Sequence, residues 1–424
     1  MNNDLAKDRY FKRNATGVSL VEFIWGLGFP ILLESTFLQI FLKTFGASDF
    51  LIGLVPCIFI TGVSTFPLLS SYLTRNKKHK KKVVINLHIL SSIAIIFFGI
   101  SLFFVQNHSY ILVLFFLSYI VFSLSIGLTL PVWLNYLVKI FSEKKSVEGF
   151  GIMMGAQSTA KLISGLIILK TVEEYGVSTI STAYIFLSAG LLFLIGSFCF
   201  LFTKEISDDG KEPRNSESFL KHTKNTIIEI IKNKNFLKYL IGDLDNYIII
   251  TTISFYAVYA TEFFDIKAST ATGLFASFYY TGSMAANLLL GPFDFLQLFN
   301  LKQKFISTKI LTITALLILI FFPTLPGFLA ASSLFGFGRG TRNIIFSPSV
   351  KMFSNKEDTT GYFALAPLLT IAFGSGLPIF YGIMLDILSD MQANAYKIMF
   401  SISIFLVLII LYFSIITDFS KKAD

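Results

Sequence analysis

A run of apolar residues long enough to cross the roughly 30 Å hydrocarbon core of a bilayer recurs twelve times along this 424-residue chain. The runs fall near residues 17–41, 49–73, 83–105, 110–138, 149–171, 180–203, 236–261, 270–291, 306–323, 327–350, 362–385 and 396–417. Lipid offers the backbone no hydrogen-bond partners, so a run of this length has to satisfy its own N–H and C=O groups, and a helix does so locally. Only 14% of residues are charged and mean hydropathy is +0.69, whereas soluble domains carry about 25% charged residues. The predicted fold class is therefore an all-α integral membrane protein with twelve transmembrane helices. The first run, Gly17 to Phe41, is too long for a cleaved signal and reads as a retained span.

Charge is distributed unevenly between the loops. With both termini on the cytoplasmic side, the cytoplasmic segments hold 27 Lys and Arg and the opposite loops hold 4. That asymmetry places the chain in the cytoplasmic membrane as a multi-pass protein with both termini inside. It also accounts for the net charge of +9 without nucleic acid as a partner. The basic run Thr74 to Lys82 reads as a topology anchor.

The longest polar stretch, Lys204 to Asn235, separates two sets of six spans. Within it Phe219, Leu220, Ile227, Ile230 and Ile231 recur at helical spacing, which predicts an amphipathic helix on the inner membrane surface. The expected organisation is a six-helix bundle over 1–203, a linker over 204–235 and a second six-helix bundle over 236–424. An internal echo supports the division. Val138, Lys139, Phe141, Ser142, Lys144 and Gly149 reappear 212 residues on as Val350, Lys351, Phe353, Ser354, Lys356 and Gly361. A weaker echo pairs Gly53-Leu54 and Thr61-Gly62 with Gly273-Leu274 and Thr281-Gly282.

Twelve spans, termini inside, a basic loop after the second span and a parallel 6+6 repeat together resemble the major facilitator superfamily. The resemblance covers nearly the whole chain and rests on architecture more than on motif. Where that family places Gly, Asp, Arg and Gly in the loop after the second helix, this chain has Ser70, Thr74, Arg75 and Lys77, so only the Arg and the basic character persist. The fifth span also lacks the prolines common in drug antiporters of the family. The resemblance implies secondary-active transport by alternating access, with the first, fourth, seventh and tenth helices lining a central cavity.

Ionisable residues inside spans are costly and usually face a cavity or a partner. A guanidinium at the centre of a bilayer helix costs about 2.5–3.5 kcal/mol on insertion scales, and the tenth span carries two, Arg339 and Arg342. Glu22 and Glu34 on the first span, Lys161 on the fifth, and Asp243 and Asp245 on the seventh complete the set. Arg339, Asn343 and Ser347 share a helical stripe extended by Gly336 and Ser332. Gln157, Lys161 and Ser164 make a second, and Asp243, Tyr247, Thr251 and Ser254 a third. The planar Arg fork suits a carboxylate or phosphate. The expected substrate-binding residues are therefore Arg339, Arg342, Asn343, Lys161, Gln157 and Tyr247, with Asp243, Asp245 and Glu34 as proton-coupling candidates. Asp243 and Asp245 lie about 200° apart on a regular helix and cannot both face one site; Asp243 is favoured. The competing reading is a structural ion pair between an aspartate of the seventh span and an arginine of the tenth. Glu22 reads as an interfacial residue paired with a lysine. The positions 212 before Arg339 and Arg342 are Gly127 and Leu130, so the arginines belong to one half only.

Cys57, Cys199 and the four histidines show no metal or redox spacing, and no nucleotide-binding loop pattern occurs. No metal, cofactor or catalytic activity is expected. The expected function is proton-coupled transport of a small polar, anionic or zwitterionic solute by a monomer. An exporter of amphipathic compounds or lipids and a non-transporting receptor or scaffold are the alternatives.

Overall fold

The computed structural model describes residues 3–33, 36–74, 77, 79–206, 219–290, 299–354 and 359–420. Among them are sixteen α-helices and no strand. In the first half these are α1 (Asn3–Arg9), α2 (Phe11–Leu32), α3 (Phe37–Thr44), α4 (Asp49–Thr74), α5 (Lys81–Ser101), α6 (His108–Ile140), α7 (Glu143–Tyr175) and α8 (Thr179–Cys199). The second comprises α9 (Phe219–Lys232), α10 (Lys234–Gly242), α11 (Asp245–Phe263), α12 (Phe275–Leu290), α13 (Leu301–Phe321), α14 (Leu325–Ser354), α15 (Thr360–Ile387) and α16 (Ala393–Ile416).

Nine described helices are long and apolar enough to cross a membrane: α2, α4, α5, α6, α7, α8, α13, α15 and α16. The seventh, eighth and tenth expected spans are helical too, but each departs from a plain apolar rod. The seventh breaks after Gly242 into α10 and α11. The eighth begins with a π-helical stretch, Thr270–Leu274, before α12. The tenth, α14, is diluted by arginines, glycines and serines. The first span also breaks, at Leu33, whose backbone is extended (φ −119°, ψ 129°) between α2 and α3. Two tyrosines satisfy the carbonyls freed there: Tyr119 Oη donates to Leu32 O at 3.1 Å and Tyr280 Oη to Leu33 O at 3.3 Å. Periodicity alone predicts unbroken helices at both breaks.

The helices pack with one pattern used twice. In the first six spans α2 lies against α7 and α8, α5 against α6 and α8, and α4 against α6. In the last six, α11 lies against α15 and α16, α13 against α14 and α16, and α12 against α14. The weaker sequence echo falls where backbones come closest. A Cβ on Gly62 would meet Ser123 O of α6 at 2.7 Å, and one on Gly282 would meet Ser333 O of α14 at 2.0 Å. Gly53 and Gly273 serve approaches between the halves, to Pro378 O of α15 and to Leu169 N of α7. Small residues permit such contact where no hydrophobic force draws helices together.

A second device also repeats. Asn14 donates to Lys204 O (3.1 Å) and accepts from Lys204 N (2.7 Å), tying the start of α2 to the chain after α8. Asn235 donates to Asp418 O (2.7 Å) and accepts from Asp418 N (3.0 Å), tying α10 to the chain after α16. The buried Asn14 also donates to Ile140 O, so its amide serves the fold.

Links between the halves cluster at the end away from the termini. They join the start of α4 to the end of α15, the later part of α7 to Thr270–Leu274 and α12, and the break at Leu33 to Tyr280. The expected amphipathic helix is α9. It packs on α10 and α15, burying Ile230 completely, and Glu229 accepts from Tyr362 Oη at 2.9 Å. Its Ile228 and Ile231 are exposed, so the face expected to meet lipid is shared with the protein.

Candidate functional site

Glu34 lies outside the described residues. The other ionisable residues expected inside spans form two groups, one in each half. In the first half Glu22 is buried midway along α2, and Gln157 Nε2 of α7 donates to its Oε2 at 2.5 Å. Gly26 lets α2 approach the backbone of α7 at Gln157, which brings the two side chains within reach. Lys161 follows one turn after Gln157. Its ammonium sits 5.1 Å from the ring centre of Phe29 and 5.4 Å from that of Tyr280, over two aromatic faces. Glu22 is thus a buried carboxylate with an amide partner and the charge of Lys161 acting on it, where the sequence reading expects an interfacial residue paired with lysine.

The second group is built on the break in the seventh span. Gly242 ends α10 close against Phe305 and Ser414, and Asp243 sits in the turn before α11. Arg342 of α14 forks onto its carboxylate: Nη2 to Oδ2 is 2.7 Å, Nε to Oδ1 3.1 Å and Nε to Oδ2 3.2 Å. The guanidinium also lies 4.0 Å from the ring centre of Phe346. Arg339 donates through Nη1 to Asn246 Oδ1. Tyr247 Oη and Thr370 Oγ1 share a hydrogen bond of 2.9 Å.

Asp245 turns to a different partner, Lys309 of α13, whose ammonium lies 3.1 Å from Oδ1. At that separation charge attraction holds the pair. Lys309 donates to Thr308 Oγ1 at 3.0 Å and sits 3.5 Å from the ring centre of Phe305. Exposure separates the two aspartates. The Asp245 and Lys309 side chains are 2% and 1% exposed; those of Asp243 and Arg342 are 9% and 21%. One pair is sealed inside the helices and the other keeps partial exposure, chiefly at Arg342.

The stripe expected on α14 divides. Asn343 and Ser347 are exposed, whereas Gly336 turns to the backbone of α12 at Tyr279 and Ser332 bonds to Tyr256 Oη. Sequence reasoning missed Lys309 and Asn246. Lys309 stands near the edge of its apolar run, where a lysine normally reaches back to the headgroups; only the rotation of α13 turns it inward. Asn246 is uncharged and raised no signal. No cluster of metal-ligating residues occurs among the described residues.

The sequence matches the profile of the Major Facilitator Superfamily over residues 18–340. The chain belongs to that superfamily. Solved transporters of the same fold include the nucleoside transporter NupG in a single-site variant, with a TM-score of 0.73, 14% identity, and coverage of 95% of this chain and 99% of that one. A bacterial homologue of the human lysosomal transporter Spinster, inward-facing and occupied, superposes with a TM-score of 0.65 at 13% identity, covering 95% of this chain and 96% of its own. A POT family transporter in complex with 5-aminolevulinic acid gives 0.66 at 15%, covering 94% and 96%. No curated protein matches the sequence. At these identities the solved structures establish the fold, and the superfamily establishes a multi-pass membrane transporter for small molecules rather than an enzyme.

Proposed function

We propose that this protein is a proton-coupled secondary transporter for a small anionic or zwitterionic solute. It works by alternating access of residues 1–203 and 236–424 about the linker 204–235. The observation that carries the reading is the exposure of the Arg342 fork beside a sealed Asp245–Lys309 pair. A solute carboxylate or phosphate exchanges for Asp243 on that fork with little net loss of charge pairing. The displaced Asp243 then takes a proton. Arg339, Asn343 and Tyr247 line the same side, and Gln157 and Lys161 reach the solute from the other half. In this reading Asp245 holds α11 to α13 instead of carrying the proton.

Repeat register adds a second acid. The Asn14 and Asn235 latches are 221 residues apart, and the same step carries Glu22 onto Asp243. Each half thus sets a buried carboxylate at one place in its first span, and Glu22 joins Asp243 as a proton-coupling residue. Links between the halves at the end away from the termini support a state open at the terminus-bearing end, which charge asymmetry assigns to the cytoplasm. A monomer in the cytoplasmic membrane completes the proposal.

A thermal-shift screen of metabolites on the purified protein identifies the solute, because a ligand that binds only the folded state raises apparent stability. Flux into proteoliposomes then compares wild type with Arg339→Ala, Arg342→Gln and Asp243→Asn. All three variants are expected to lose most uptake. Undiminished flux in Arg339→Ala and Asp243→Asn rejects the residue assignments. Export of apolar compounds with these charges neutralised favours an exporter of amphipathic compounds, and absence of any flux favours a receptor or scaffold.

A further inference from the structure

The end away from the termini is shut by more than packed glycines. Gly382 brings α15 against the backbone of α4 at Asp49 and Phe50, and four residues on, Asp386 turns its carboxylate onto the first turn of α4. Oδ1 accepts from Asp49 N at 2.8 Å and Oδ2 from Phe50 N at 3.0 Å. The N-terminal N–H groups of a helix have no partner within it and carry partial positive charge. Here the capping anion comes from the opposite half. Ser48, the local residue placed to cap α4, reaches only Leu51 N, at 3.4 Å.

Charge around this cap is unbalanced. Lys43, at the end of α3, lies 3.0 Å from Asp49 Oδ1 and 3.5 Å from Glu262 Oε1 at the end of α11. Tyr396 Oη of α16 donates to Asp49 Oδ1 at 3.3 Å. Asp49 of α4 and Glu262 of α11 therefore share one ammonium from α3, while Asp386 of α15 meets the backbone N–H groups of α4, and both halves contribute. Separation of the halves would leave Glu262 and Asp386 of the second in water and the first N–H groups of α4 uncapped. Closure supplies both sides with what they lack.

We propose that Asp386 and Lys43 form an interhalf latch, in which a carboxylate of the second half caps α4 of the first while Lys43 bridges Asp49 to Glu262. The latch holds the transporter closed at the end away from the termini and sets the balance between its two conformations. This inference rests on the alternating-access reading above. It assigns Asp386 and Lys43 a positioning role, with no contact to solute.

The test is a distance measurement that needs no substrate. Phe104 and Phe322 are exposed at that end, one in each half and away from the latch. Phe104→Cys and Phe322→Cys are spin-labelled in a Cys57→Ser, Cys199→Ser background and measured by pulsed electron–electron resonance. Asp386→Asn and Lys43→Gln are each expected to raise the longer-distance population on the order of tenfold, as the loss of charge-assisted hydrogen bonds implies. Asp390→Asn, an exposed acid just beyond, is expected to leave the distribution unchanged. An Asp386→Asn distribution identical to wild type overturns the latch, as does an equal shift in Asp390→Asn. A moving distance with no flux for any solute sinks the transport reading alone; an unmoved distance with flux intact sinks the latch alone.

Discussion

The sealed Asp245–Lys309 pair supports the sharpest quantitative expectation. At 3.1 Å the attraction between unit charges is about 5 kcal/mol at an effective dielectric of roughly 20. The desolvation cost of both ions offsets much of that. Removing one partner leaves the other buried without compensation, so Lys309→Met should destabilise the protein by about 3–5 kcal/mol. Part of this loss is the ammonium's contact with the Phe305 ring, worth up to about 2 kcal/mol when desolvated. The double variant Asp245→Leu/Lys309→Met removes both ions and should recover most of the loss, since apolar replacement of a buried pair is often neutral. Thermal unfolding in detergent, read for wild type, both single variants and the double variant, closes the cycle. The more exposed Asp243–Arg342 pair should show a smaller coupling. A double variant as unstable as Lys309→Met, or a single variant as stable as wild type, refutes the claim that this pair is sealed.

The repeated latches make a matched prediction: Asn14→Ala and Asn235→Ala should each cost about 1–3 kcal/mol for the buried groups left unpaired, with similar falls in melting temperature. Gly336→Val puts a Cβ 1.8 Å from Tyr279 O and should lower the melting temperature markedly. Gly151→Ala and Gly155→Ala open onto free space and should be neutral or stabilising by up to about 1 kcal/mol. Glu22→Gln keeps an acceptor for Gln157, so stability should hold within about 1 kcal/mol while the response of flux to an imposed pH gradient weakens. An unchanged pH response in that variant removes Glu22 from the coupling scheme.

The helical membrane fold was legible because lipid leaves the backbone few options and the spacing of apolar runs is a long-range signal. The breaks at Leu33 and Asp243 were not, because hydrophobic periodicity averages over the few residues where a chain turns. The echoes of Gly53 with Gly273 and Gly62 with Gly282 were visible, but their meaning was not. Each pair marks a place where two backbones nearly touch, and that is a property of the neighbour as much as of the glycine. Among the charges, Arg342 and Asp243 could be flagged from sequence because their depth alone makes them expensive. Lys309 could not, since a lysine near a helix end is cheap until the helix turns it inward.

By itself, then, the sequence determined the helical class, the superfamily architecture and the short list of charges that cannot face lipid. Those follow from local solvation, which each residue carries with it. Which aspartate meets which cation, and which pair keeps partial exposure, depended on how α11, α13 and α14 rotate against one another. So did the capping of α4 by Asp386, 337 residues away in the chain. Such pairings depend on distance in space, and only the tertiary structure sets that.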